Sequence, residues 1–93
     1  MALKLSYTDH ARVRKAQRAV SDEAIEAVLL YGKPWHQRKG RVALHLGRKQ
    51  VEAARKQGVD LRSYENTAVV VADGRVVVTV IRTADTKRLR RCA

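Results

Sequence analysis

Apolar positions follow a helical spacing in the first third of the chain and a strand spacing in most of the remainder. Thr8 or Asp9 can accept hydrogen bonds from the free amides of a following turn, and residues 10–19 hold no Gly or Pro. This predicts a first helix over 8–19. Val13, Ala16 and Val20 would form its buried stripe, while His10, Arg14 and Arg18 step by four along another side. Ser21 is a suitable cap for a second helix, Asp22 and Glu23 suit the positive end of its dipole, and Ile25, Val28 and Leu29 make an apolar stripe. Gly32 and Pro34 stop it, so the second helix is expected over 21–31.

Beyond Pro34 the period shortens. A strand at 35–38, a tight turn at Lys39 and Gly40, and a strand at 41–46 read as a hairpin. In the second strand Val42, Leu44 and Leu46 alternate with Arg41, Ala43 and His45, which places the latter three away from the apolar layer. Residues 48–57 have helix-forming composition but no convincing apolar face, so a short solvated helix ending at Gly58 is expected. Two Val-rich runs, 67–72 and 75–83, flank Asp73-Gly74, a pair suited to a type I′ turn. This order predicts an α+β fold with two N-terminal helices packed on one face of a small antiparallel sheet. It forms a single domain over residues 1–93, in which 84–93 serve as a basic C-terminal tail.

Composition narrows the function. Ninety-three residues, no Phe and a single Trp35 imply one small aliphatic core, near the lower limit of independent stability, so a homodimer would add useful burial. Lys and Arg number 20 against 9 Asp and Glu, and 20 − 9 = +11 is more than solubility requires. The partner implied is a polyanion, RNA or DNA, since clustered cations release its condensed counterions on binding. A membrane surface is disfavoured because no basic segment carries a bulky apolar face. Cys92 is the only cysteine, which excludes an intramolecular disulfide and a cysteine-based zinc site. The first ten residues lack a signal-peptide apolar run, so a cytoplasmic location is expected. No phosphate-binding loop and no metal-ligand spacing occur, so neither cofactor nor metal is expected.

What remains is His, Arg, Lys, Thr and Tyr, groups able to serve metal-free phosphodiester chemistry. His10 could transfer a proton beside a phosphate held by Arg14 and Arg18; a surface histidine and solvated arginines are the plain alternative. His45, on the strand face shared with Arg41, could supply a second acid/base and phosphate-binding group, or simply be structural. Arg82 and Thr83 could contact phosphate at the end of the last strand. Trp35 beside His36 could stack on a base, although a lone Trp more often fills a core. Tyr7, Tyr31 and Tyr64 read first as packing residues.

The string HARVRKAQRAVSDEAIEAVLLYGKP resembles the opening of an uncharacterised bacterial family that begins His-Ala-x-x-Arg-x-x-x-Arg before a Ser-capped helix. VVVADGRVVVTVIRT resembles that family's closing hairpin, and the family itself resembles the RelE/ParE-type toxins of toxin-antitoxin systems. The resemblance spans His10 to Thr83 and implies two N-terminal helices on a small antiparallel sheet. It carries over His10, Arg14 and Arg18, then Arg82 and Thr83. It implies messenger RNA cleavage or, in the ParE branch, inhibition of DNA gyrase, with an acidic antitoxin as partner. The chain lacks the C-terminal tyrosine of some RelE-type nucleases. The leading expectation is therefore a toxin-type, metal-independent ribonuclease; its rivals are a nonenzymatic nucleic-acid-binding module and a ParE-like toxin with a protein target.

Overall fold

A computed structural model describes residues 6–73 and 76–83. The chain enters through a two-residue strand, β1 (Ser6–Tyr7), and turns at once into α1 (Asp9–Gln17). Thr8 makes that turn with one hydroxyl used twice: its Oγ1 accepts from the Ala11 amide at 3.1 Å and donates to the Val78 carbonyl at 3.0 Å. The first bond caps the helix, and the second pins its start to the far end of the chain. Ser21 caps α2 (Asp22–Tyr31) in the same way, accepting from the Ala24 amide at 3.1 Å.

The remaining elements are β2 (Lys33–His36), β3 (Arg41–Leu46), α3 (Arg48–Lys56), β4 (Thr67–Ala72) and β5 (Val76–Arg82). Among the described residues they form one sheet in the order β1-β5-β4-β3-β2. The four longer strands are antiparallel as expected, but β1 pairs with β5 in parallel, so the sheet is mixed. Two residues are too short a run to show a strand period in sequence, and pairing with a partner some seventy positions on supplies what local pattern does not. Lys39 and Gly40 both take positive φ, 62° and 70°, as the tight turn of the first hairpin requires. In the second hairpin Asp73 has φ 54°, and the expected Gly74 lies outside the described residues, as does the basic 84–93 tail.

Helices α1 and α2 cover one face of the sheet. Ala11, Ala24, Ile25 and Val28 meet Leu46, Val69, Val71, Val77 and Val80 in the main core. Ile25 and Val28 are fully buried, and each contributes about 1.5–3 kcal/mol of transfer free energy. The expected stripe on α1 is corrected: Val13 is 53% exposed and Ala16 is also on the surface. The side of α1 turned inward carries Ala11, with Arg14, Lys15 and Arg18 half-buried around it. With only a small alanine to seat, the helix packs on β5 and β1. Val20 is buried, but not as part of that helix; it follows a sharp reversal described below.

α3 is also corrected. It buries Val51 and Ala54 in the main core, so it is not a purely solvated helix. Its start is closed by the Gln50 Oε1, which accepts from the Gly47 amide at 3.0 Å. Finally, the second sheet face is not simply polar: Ala43, Ala68 and Val70 are buried there, with Trp35, Val78 and Ile81 packed against them. Trp35 thus serves largely as filler, under the Lys33 ammonium at 4.6 Å from its ring centroid.

Candidate nucleic-acid interface

α1 and α2 join without a spacer. Arg18 caps α1, Ala19 takes φ 50°, and the Val20 amide donates to the Lys15 carbonyl at 3.0 Å while the Ala19 amide donates to Ala16 at 3.2 Å. This pair of reversed bonds is a Schellman motif, which turns the chain back sharply and drops Val20 into the core. Lys15 then ion-pairs with Asp22 across the corner, and the Tyr7 hydroxyl donates to the same carboxylate at 3.4 Å. The hydrogen bond and charge of Lys15 hold the Asp22 carboxyl below its usual range; burial and then Asp22 push the Tyr7 phenol up. Lys15 is therefore committed to structure. A cleft of about 520 Å³ between Tyr7, Arg12, Lys15 and Asp22 opens beside this corner.

The expected site residues separate into two groups. His10 is exposed on the first turn of α1, and Arg14 and Arg18 lie half-buried further along. Arg14 Nη1 donates to Gln17 Oε1 at 3.3 Å, which orients the guanidinium along the helix without neutralising it. Past Arg18, Ala19 and Val20 line a crevice of about 90 Å³ together with Arg82, which is exposed at the end of β5. The α1 end and Arg82 are thus brought to one place, on the helix-covered side of the sheet.

His45 is elsewhere. It pairs in register with Ala68 on the second face, opposite to the one α1 covers, and is only 4% exposed. Its Nε2 reaches the Thr83 carbonyl at 2.7 Å; a carbonyl can only accept, so this nitrogen carries the proton. The Thr83 amide in turn donates to the Asn66 carbonyl at 2.8 Å, and the Asn66 amide donates to Leu46. His45, expected to be catalytic, is thus buried and tied to Thr83, because the alternation that took it away from the main core put it into a second buried layer. Thr83 likewise has its backbone tied into this closure. Arg41 is exposed at the start of β3, four positions from His45 in sequence, and His36 is exposed on β2.

Cation pairing separates structural from available charge. Lys15–Asp22, Arg48–Glu52 and Arg62–Asp60 are ion pairs, and Asp60 lies below its usual range through its hydrogen bonds from Arg62. Arg12, Arg18, Arg41, Arg55 and Arg82 have no acidic partner among the described residues. No group of three or more His, Cys, Asp or Glu that could hold a metal occurs among the described residues. No helix among them is long and apolar enough to cross a membrane. The residues that sequence reasoning missed are Ser63 and Thr67, which line the Arg82 crevice; Ser21 and Tyr64 also line it, though their spacing suggested only a cap and a packing ring. The signal for Thr67 was a lone hydroxyl opening a Val-rich strand, legible only once the register places it opposite Arg82. No family model, curated protein or solved structure matches this chain.

Proposed function

We propose that the chain binds the backbone of a nucleic acid, RNA in the first instance, along α1 through Arg14 and Arg18 to Arg82, without cutting it. The observation that carries this reading is the separation of the two histidines by the sheet. Acid/base cleavage needs both proton-transfer groups within reach of one phosphate, and His10 and His45 project from opposite layers. Binding needs no such pairing. It needs guanidinium groups free of carboxylates, and Arg18 and Arg82 satisfy that requirement beside the oriented Arg14. The RelE/ParE resemblance supplies the contrast, since a nuclease of that kind would leave cut RNA and a gyrase-directed toxin would leave RNA unbound.

The test is anisotropy of a labelled single-stranded RNA, with the RNA recovered and run on a denaturing gel. Three to four phosphate contacts give a salt slope near −2 to −3, a loss of roughly 20- to 50-fold in affinity between 50 and 200 mM salt. Arg18→Gln and Arg82→Gln should flatten that slope, whereas His10→Gln should leave affinity unchanged and the RNA intact. RNA that wild type cuts and His10→Ala spares would overturn the proposal in favour of the nuclease; affinity indifferent to salt would overturn it altogether.

A further inference from the structure

The crevice at the α1–α2 corner has a composition that core packing does not explain. Its lining residues include Ser21, Ser63, Tyr64, Thr67 and Arg82, and among the described residues no carboxylate lines it. Thr67 is 2% exposed and lines the crevice. A strand position amid Val residues would ordinarily be filled by another Val. Arg82 stands directly opposite Thr67 in the ladder, on the same side of the sheet, and has no acidic partner among the described residues. The Ser21 hydroxyl accepts from the Ala24 amide, which leaves its own proton to donate. The α2 N-terminus adjoins the same space and adds its positive end.

We propose that this crevice is a binding site for a single phosphate group. Arg82 supplies the countercharge at the mouth, and Thr67 and Ser21 donate from the inner wall. The crevice has room for a tetrahedral oxyanion. The ligand is recognised through its phosphate, whether free or at the terminus of a strand; the second source rests on the nucleic-acid reading above. For a strand lying along α1, a terminal phosphate seated here would fix its end and hence its polarity.

The site is tested without RNA first. Thermal unfolding of the whole chain is followed in inorganic phosphate and in chloride at matched ionic strength. Phosphate should raise Tm by several degrees once it is in about tenfold excess over its Kd. Thr67→Val and Arg82→Gln should each weaken that response by roughly tenfold in phosphate concentration, the scale of one charge-assisted hydrogen bond. Both variants keep the fold, because Thr67→Val preserves shape and Arg82 is exposed. A Tm equal in the two salts, or a phosphate response retained in both variants, would overturn the site. In a second arm, RNA bearing a terminal phosphate is compared with the same RNA bearing hydroxyl ends. Tighter binding of the phosphorylated strand by wild type, lost in Thr67→Val, identifies the strand end as the source. Equal affinity alongside a positive first arm assigns the site to free phosphate. Failure of all RNA binding leaves the first arm intact and so separates the two proposals.

Discussion

Replacing Ala19 by glycine should make this protein more stable. Ala19 occupies the left-handed position of the Schellman motif at φ 50°, where a Cβ crowds the following carbonyl at about 1–2 kcal/mol. Glycine removes that strain but brings more freedom to the unfolded chain, an offset of about 0.5–1 kcal/mol. The net gain is therefore about 0.5–1 kcal/mol, or roughly 3–6 °C in Tm for a domain of this size. Ala19 is exposed, so little packing is lost with its methyl. The end of α3 supplies the internal control. There the Val59 amide reaches Ala54 at 2.9 Å, the Gly58 amide reaches Arg55 at 3.0 Å, and Gly58 takes φ 85° with open space around its Cβ position. Gly58→Ala should cost about 1 kcal/mol through conformation alone. Both variants are measured by urea and thermal unfolding under two-state criteria. An Ala19→Gly protein no more stable than wild type, alongside a destabilised Gly58→Ala, would refute the reasoning, because the same motif would then be strained at one helix end and not at the other.

Thr8→Val removes the α1 cap and the bond to Val78 together, and should cost about 1–2 kcal/mol in urea unfolding, with faster amide exchange at Ala11. His45→Ala leaves the Thr83 carbonyl without its donor and opens space in a buried layer, so a loss of about 2–4 kcal/mol is expected; His10→Ala should stay within about 0.5 kcal/mol of wild type. Equal effects in the two histidine variants would contradict the structural assignment of His45. The lowered Asp22 pKa contributes stability that is present above the unfolded-state value and lost as pH falls through the folded-state value. An Asp22→Asn protein should therefore be slightly less stable than wild type near neutrality and converge with it in acid unfolding; a gap that persists at the lowest pH would count against the Lys15 pairing as its cause.

Those elements were legible in sequence whose start, period and stop agree. α2 has Ser21, its acidic first turn, the Ile25–Val28 stripe and Gly32, and the structure follows each. β3 runs from Arg41 to Leu46 as its alternation demands, and β4 and β5 follow their Val-rich runs. The end of α1 was not legible, because the residue that reverses it is Ala19 where a glycine would have announced the turn. Counting Val20 as a seventh step along that helix then produced a stripe that the fold does not use. The inner side of α3 was hidden for a related reason, since Val51 and Ala54 are small against the charges around them. Of the candidate site, the α1 cations and Arg82 could be named from their spacing and from a resemblance, but their neighbours could not. Ser21, Ser63 and Thr67 come from three separate segments, and only the register of β4 with β5 and the fold of the corner bring them together.

The hydroxyl of Thr8 and the carbonyl of Val78 are 70 positions apart. A nascent chain can form α1 and α2 as soon as they leave the ribosome, but α1 has no floor until β5 arrives, and β1 has no strand to lie beside. Closing so long a loop has an entropic cost that local contacts do not offset, so the order of synthesis and the order of burial run in opposite senses. Until β5 is available, α1 and its cations therefore lack the sheet face on which they pack. A chain ended at Ala72 should show the circular dichroism of a largely unfolded polypeptide, and a native-like spectrum from that fragment would show that β5 is dispensable to the helical layer.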